Sequence, residues 1–127
     1  MAEKSIVVSE KAPKALGPYS VANKSGDFIF TAGQLGLDPA TGELAPGGIE
    51  FETRQALTNI RHVLEAAGSS LGQVVKTTVF LKDMNDFSKM NAVYGEFFTE
   101  KFPARSTVQV AALPKSGAVE IDVIAAI

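Results

Sequence analysis

The sequence predicts an α+β protein in which two amphipathic helices cover one face of a mixed β-sheet. Three observations carry this. The stretches 49–67 and 87–98 repeat their apolar residues at helical spacing. Around them, short runs of β-branched and aromatic residues bounded by Gly, Pro, Asn and Asp give the order β-β-β-α-β-α-β-β. The 127 residues are 46% hydrophobic and 20% charged, which is enough apolar material for one domain spanning 1–127.

Ile6–Val8 reads as a short first strand, followed by a proline-bearing loop. Leu16–Ala22 and Phe28–Ala32 flank Asn23-Lys24-Ser25-Gly26-Asp27, a turn signal that predicts an antiparallel pair. The Gly/Pro-rich segment from Gly33 to Gly48 is longer than a simple connection and is a candidate functional loop. In the first helix, Leu57, Ile60, Leu64 and Ala67 form a stripe widened by Ala56 and Val63, and Gly68 stops it. Val74–Leu81 alternates as a strand, with Val75, Thr77, Val79 and Leu81 on one face and Val74, Lys76, Thr78 and Phe80 on the other. Asp83 or Asp86 caps a second helix whose stripe is Phe87, Met90, Tyr94, Phe97 and Phe98. Strands at 104–111 and 118–126 close the chain around a turn at Lys115-Ser116-Gly117.

Two helices bury only one face of such a sheet. The open face is expected to carry Thr77 or Thr78, Thr107, Gln109 and Glu120 among aliphatic residues. A partly apolar open sheet needs a partner, so self-association is expected.

Composition excludes several chemistries. There is no cysteine, hence no disulfide, thiolate nucleophile, cysteine-rich zinc site or iron–sulfur cluster. His62 is the sole histidine, placed off the main helical stripe and expected to be exposed; it supports neither a metal site nor a Ser-His-Asp triad. A formal charge of -2 gives no electrostatic reason for nucleic-acid binding. The glycine-rich loop lacks both phosphate-binding fingerprints and the ligand pattern of a calcium loop, so nucleotide and calcium sites are not expected. No segment has the length of a membrane span and the first residues lack a secretory apolar run, so a cytoplasmic protein is expected.

Arg105 begins an alternating strand and shares a face with Thr107 and Gln109. It reads either as a solvent-facing arginine or as a guanidinium fork held on a rigid strand to grip a carboxylate. Glu120 and Asp122 lie on one face of the last strand, roughly 6–7 Å apart at their alpha carbons. They read as an acid/base pair or as an exposed edge and interface salt bridge. Tyr19, after Gly17-Pro18, is either a ligand-facing hydroxyl or an aromatic lid on the core. Asn91 and Tyr94 lie on the second helix, where a structural amide and a core ring are the ordinary readings.

Pro103-Ala104-Arg105-Ser106-Thr107-Val108-Gln109-Val110-Ala111-Ala112-Leu113, followed by Val119-Glu120-Ile121, resembles the signature of the Rid family, the reactive intermediate (YjgF/UK-type) deaminases. Gly17-Pro18-Tyr19-Ser20, Thr31-Ala32-Gly33-Gln34, Val75-Lys76-Thr77-Thr78-Val79-Phe80 and Met84-Asn85-Asp86-Phe87 extend the resemblance over essentially the whole chain. The resemblance implies a chorismate-mutase-like fold assembled as a homotrimer, with ligand clefts between subunits. It implies hydrolysis of 2-imino and enamine acids, such as those derived from 2-aminoacrylate, to 2-oxo acids and ammonia, with no metal or organic cofactor. In this reading Arg105 clamps the substrate carboxylate, supported by the backbone at Thr107, and Glu120 positions or activates water. Tyr19, Gly33 and Asn91 line or orient the cleft, and Thr31 and Ala32 shape its wall. The competing readings are a non-catalytic 2-oxo-acid-binding regulator and the ribonuclease or translation-inhibitor activity described for some relatives.

Spacing raises one difficulty. If 104–111 and 118–126 formed a simple hairpin, Glu120 would pair near Ala111, leaving Arg105 roughly 20 Å away along the ladder. Either the two strands are not neighbours, or the working pair is assembled across a subunit interface. The second alternative is the expectation carried forward.

Overall fold

The computed structural model describes residues 3–127. Its strands are β1 (Lys4–Val7), β2 (Ala22–Ser25), β3 (Phe28–Thr31), β4 (Gln34–Leu35), β5 (Val74–Leu81), β6 (Ala104–Gln109) and β7 (Val119–Ala126). The helices are α1 (Ile49–Ala66) and α2 (Phe87–Phe97). The strands form one sheet in the order β1-β2-β3-β7-β5-β6, with β4 continuing the β3 side of β7. All pairings are antiparallel except β5 with β6. Among the described residues, no helix is long and apolar enough to cross a membrane.

Both helices pack on one face, as the apolar stripes require. Leu57, Ile60, Val63 and Leu64 of α1 and Met90 of α2 are fully buried against Ile29, Val79, Leu81, Val119, Ile121 and Val123. Burying each such side chain contributes roughly 1.5–3 kcal/mol. The α2 stripe also includes buried Val93, and Phe98 serves as its C-terminal cap rather than its last turn.

Several local expectations are corrected. The second strand is Ala22–Ser25, built from residues expected to be turn, because Ser25 pairs with Phe28 and leaves only Gly26-Asp27 to reverse the chain. Gly26 takes the positive φ (57°) that such a tight turn needs at its first position. Leu16–Val21 is irregular. In β5 a register shift between Val74 and Lys76 inserts Val75 as an extra residue. Val74 therefore joins the buried face and Val75 is exposed, the reverse of simple alternation. At the second helix, Asp83 caps a preceding single turn by accepting from the Asn85 N–H, while Asp86 makes no side-chain cap bond.

The long loop after β3 is pinned to α1 by Asn59, which is fully buried. Its amide donates to the carbonyls of Leu35 and Leu37 (3.3 and 2.9 Å) and its oxygen accepts from Gln55 (2.9 Å). Asn59→Ala strands two buried carbonyls and is expected to cost about 2–4 kcal/mol. The check is a lower urea midpoint with an unchanged slope, at one protein concentration.

The strands β6 and β7 are not a hairpin: β5 runs between them, parallel to β6 and antiparallel to β7. The connection after β6 instead makes a single 3-10 turn at Pro114–Ser116, where Lys115 and Ser116 both adopt positive φ (56° and 57°). It is held by two long-range bonds. Buried Glu52 of α1 accepts from the Ala118 N–H (2.8 Å), and Lys115 Nζ donates to the Gly42 carbonyl (2.9 Å).

Candidate functional site

Register decides which face each candidate side chain takes. Arg105 pairs with Thr77, Thr107 with Val79 and Gln109 with Leu81, all on the face that the helices cover. Glu120 pairs with Phe80 and Asp122 with Thr78, on the open face. Thr77, Thr107 and Gln109 are thus removed from the expected open-face set, while Thr78 and Glu120 remain in it. The parallel β5–β6 pairing, absent from the hairpin picture, is the cause.

Arg105 sits near the start of β6, an edge strand, alongside α2. Its guanidinium carbon lies 4.6 Å from the centroid of the Tyr94 ring and 5.5 Å from that of Phe87. Those residues are two helical turns apart and present their rings toward the same strand edge. Among the described residues the one ion pair is Arg54 with Glu96, so no carboxylate neutralises Arg105. An aromatic platform holds the cation, and the Tyr94 hydroxyl takes a hydrogen bond from it, while no carboxylate competes for the rest of its N–H fork. Arg105 opens into a cavity of about 490 Å³ lined by Asn91, Tyr94, Gly95, Phe98, Phe102 and Pro103. Thr107 lies deeper on the same face, its hydroxyl buried without a partner.

Glu120 belongs to a second cavity, of about 240 Å³, which it shares with Tyr19, Gly33, Leu16, Leu35 and Lys115 among others. The Tyr19 ring is half exposed, and its hydroxyl accepts from the Leu16 N–H (3.2 Å). Gly33 results from a bulge: Phe30 pairs with Ile124 and Gln34 with Ile121, four steps along one strand against three along the other. Across the gap the Thr31 hydroxyl replaces the lost ladder acceptor, taking the Val123 N–H at 3.0 Å, and Ala32 N–H bonds to Val21. Thr31 and Ala32 therefore build the bulge that presents Gly33 and line neither cavity.

Gly33 is held to glycine by Glu120. A Cβ there would meet the carboxylate oxygen at 2.6 Å and its carbon at 2.7 Å. The obstructing atoms are the end of a flexible side chain, so Gly33→Ala is expected to fold with its melting temperature within about 2 °C of the parent. It displaces the carboxylate by about an ångström, and in any reaction using Glu120 the expected loss is about tenfold to a hundredfold in kcat.

Burial raises the Glu120 carboxyl above its ordinary value, and the neighbouring Asp122 charge raises it further. Asp122 is raised by burial as well, partly offset by a hydrogen bond from Thr78 and by the Lys76 ammonium. Lys76 also donates to Ser106 (3.0 Å), completing a polar band across β6, β5 and β7 on the open face. A carboxyl drawn upward toward neutrality can both accept and return a proton.

The sequence-identified residues thus fall into two groups. Tyr19, Gly33 and Glu120 share one cavity, and Asn91 and Arg105 share the other. Within one chain the groups face opposite sides of the sheet. Arg105 and Glu120 pair with β5 residues three apart, on opposite flanks of that strand, which puts their alpha carbons roughly 14 Å apart. Tyr94 is core, as its place on the apolar stripe predicts; what sequence reasoning missed is that its ring also serves as a platform for Arg105. The signal was present in Phe87 and Tyr94, aromatic residues seven apart on a helix preceding an arginine-bearing strand. His62, expected to be exposed, is half buried with its Nδ1 3.1 Å from the Lys11 carbonyl, and it lines neither cavity. No cluster of three or more metal-ligating side chains occurs among the described residues.

Fold and geometry together define a small α+β domain carrying an unneutralised guanidinium pocket on one side of its sheet and a raised-pKa carboxyl pocket on the other. Residues 9–127 match the family model described as Endoribonuclease L-PSP. The chain is 56% identical over 122 residues to a RutC family protein of Pyrococcus horikoshii, covering 96% of this chain and 97% of that one. It is 55% identical over 120 residues to the 2-iminobutanoate/2-iminopropanoate deaminase of Bos taurus, covering 94% and 88%. The crystal structure of Escherichia coli TdcF with bound serine superimposes with a TM-score of 0.93 at 42% identity, covering 97% and 98%. The chain belongs to the L-PSP family, also called the Rid or YjgF family, and its sheet with two helices on one face is that family's α+β fold.

Proposed function

We propose that this protein hydrolyses small 2-imino and enamine acids to 2-oxo acids and ammonia, without a cofactor, in clefts formed between the subunits of a homotrimer. The observation that carries the reading is the unneutralised Arg105 on its aromatic platform, paired in sequence with a Glu120 carboxyl drawn toward neutrality. The deaminase name of the bovine relative and the bound serine of the TdcF structure, an amino acid with a free carboxylate, favour the same chemistry.

In this mechanism Arg105 binds the substrate carboxylate bidentately, helped by backbone N–H groups of the unpaired outer edge of β6 near Thr107. An enamine first takes a proton at its terminal carbon to give the imine. Water then attacks the imine carbon while Glu120 accepts its proton. That proton passes to nitrogen to give the neutral carbinolamine; Glu120 then takes the hydroxyl proton and returns it to the amine as the C–N bond breaks, leaving the 2-oxo acid and ammonia. The imine is already electrophilic, so positioning and one mobile proton suffice.

The opposed faces favour association between copies, and the number three is what the family resemblance implies. The open face, which also carries Glu120, exposes Phe28, Phe30 and Val108, an apolar surface suited to a second copy. Docking that face against the Arg105 edge of a neighbour would bring the two half-sites into one cleft. The direct test generates 2-aminoacrylate or 2-iminobutanoate in situ and follows ammonia and 2-oxo-acid release. Wild-type protein should exceed the buffer rate, and failure to do so would sink the deaminase reading in favour of a 2-oxo-acid-binding regulator.

The pH dependence has a definite sign. Glu120 must be ionised to accept the water proton, so the rate rises with pH through its folded-state pKa, which lies above 4.5. Asp122→Asn removes the like charge that contributes to that elevation. The acidic limb of the kcat profile should then move to lower pH, and a shift to higher pH would contradict the assignment.

A further inference from the structure

We propose that Tyr94 is a positioning residue for Arg105, with Thr77 as the anchor that fixes its ring. The proposal rests on the assignment of Arg105 as the carboxylate clamp and adds the element that orients it. Thr77 is fully buried in β5 and pairs directly with Arg105 in β6. Its hydroxyl lies 2.9 Å from the Tyr94 hydroxyl, and Tyr94 is itself buried. On its other side the Tyr94 ring packs against Phe98, with centroids 4.6 Å apart and planes tilted by 35°. The ring is thus held at its hydroxyl by the sheet and along its flank by the helix terminus. Its remaining face lies 4.6 Å from the guanidinium carbon.

This arrangement solves a specific problem. An arginine that must bind an anion cannot be oriented by a carboxylate, because the ion pair would occupy the donors the substrate needs. A ring face attracts the cation through its quadrupole, and a neutral hydroxyl beside it engages one donor at most, so the fork keeps donors for an anion. Phe87, at 5.5 Å, completes the platform but offers no hydroxyl. Tyr94 alone couples the clamp to the sheet, through a residue beside Arg105 in the ladder. Orientation fixed before binding lowers the ordering cost that an arginine with several free torsions would otherwise carry.

The consequence is a loss of affinity rather than of chemistry. Tyr94→Leu keeps an apolar side chain but removes the π face. Dissociation of 2-oxobutanoate, used as a carboxylate probe, and KM for in situ 2-iminobutanoate should each rise about tenfold, with kcat within about twofold. Tyr94→Phe keeps the ring and should stay within about threefold of wild type. Thr77→Val, removing only the anchoring hydroxyl, should raise KM about threefold and keeps the test alive if Tyr94→Leu does not fold. An independent reading comes from NMR: ring currents should shift the Arg105 side-chain protons upfield in wild type and Tyr94→Phe, and in Tyr94→Leu the shift should shrink to the smaller part that the more distant Phe87 ring supplies.

A merely structural tyrosine gives a different pattern, with kcat falling in proportion to lost folded protein while KM and the Arg105 resonances stay put. That pattern overturns the proposal, as does an unchanged KM in both Tyr94→Leu and Thr77→Val. If wild-type protein neither turns over the imine nor binds 2-oxobutanoate, the deaminase reading fails instead. The upfield shift then still decides whether Tyr94 holds the guanidinium.

Discussion

Arg105→Ala should lower kcat/KM for 2-iminobutanoate generated in situ by about 10²–10³-fold, because two charge-assisted hydrogen bonds to the substrate carboxylate vanish together. Stability should barely respond. Arg105 is only half buried, sits on an edge strand and has no ion-pair partner among the described residues, so a melting temperature within about 3 °C of wild type is expected. Arg105→Lys separates charge from geometry. Lysine keeps the positive charge as a mobile point donor but loses both the fork and flat stacking on Tyr94, so it should recover at most about tenfold of the loss. A variant with Arg105→Ala and undiminished kcat/KM would remove the clamp assignment altogether. Loss of folded protein, checked by the melting temperature, would be a separate failure.

Much of this fold was legible in the sequence because most elements are amphipathic with a single period. The stripe Leu57, Ile60, Leu64 defined α1 to within one residue of its observed end, and alternation placed Glu120 and Asp122 together on one face of β7. The misses share a cause: each depends on a partner strand that periodicity cannot see. The bulge at Val75 is defined only against β7, and it flips Val74 into the core. The short strand Gln34–Leu35 lies within a Gly/Pro loop and exists because β7 offers Ile121 and Glu120 as partners. Likewise, the turn residues Lys115-Ser116-Gly117 looked like a hairpin corner, yet β5 separates the strands they join. That one topological fact moved Thr107 and Gln109 to the helix-covered face. For the site, motif resemblance named Arg105, Glu120, Tyr19, Gly33 and Asn91, but no sequence pattern could say that they divide between two faces.

That division supports the second large prediction. Co-folding Arg105→Ala and Glu120→Ala chains in equal amounts should restore activity that neither variant has alone. If each cleft takes Arg105 from one subunit and Glu120 from its neighbour, a cleft is intact only when a Glu120→Ala chain supplies the arginine side and an Arg105→Ala chain the glutamate side. Random cyclic assembly makes about one quarter of the clefts intact, whatever the number of subunits in the ring. Activity should therefore reach about 25% of wild type, with wild-type KM, because the restored clefts contain every native group. Within a single chain the two side chains point to opposite faces of β5, roughly 14 Å apart at their alpha carbons, too far for one small imino acid to bridge. A site built within one chain predicts no recovery on mixing, since every chain then carries one defect. Mixing already folded variants without denaturation provides the control: activity should appear only as fast as subunits exchange. Recovery near one quarter would place the chemistry between copies of this chain, and none at all in demonstrably mixed oligomers would refute it.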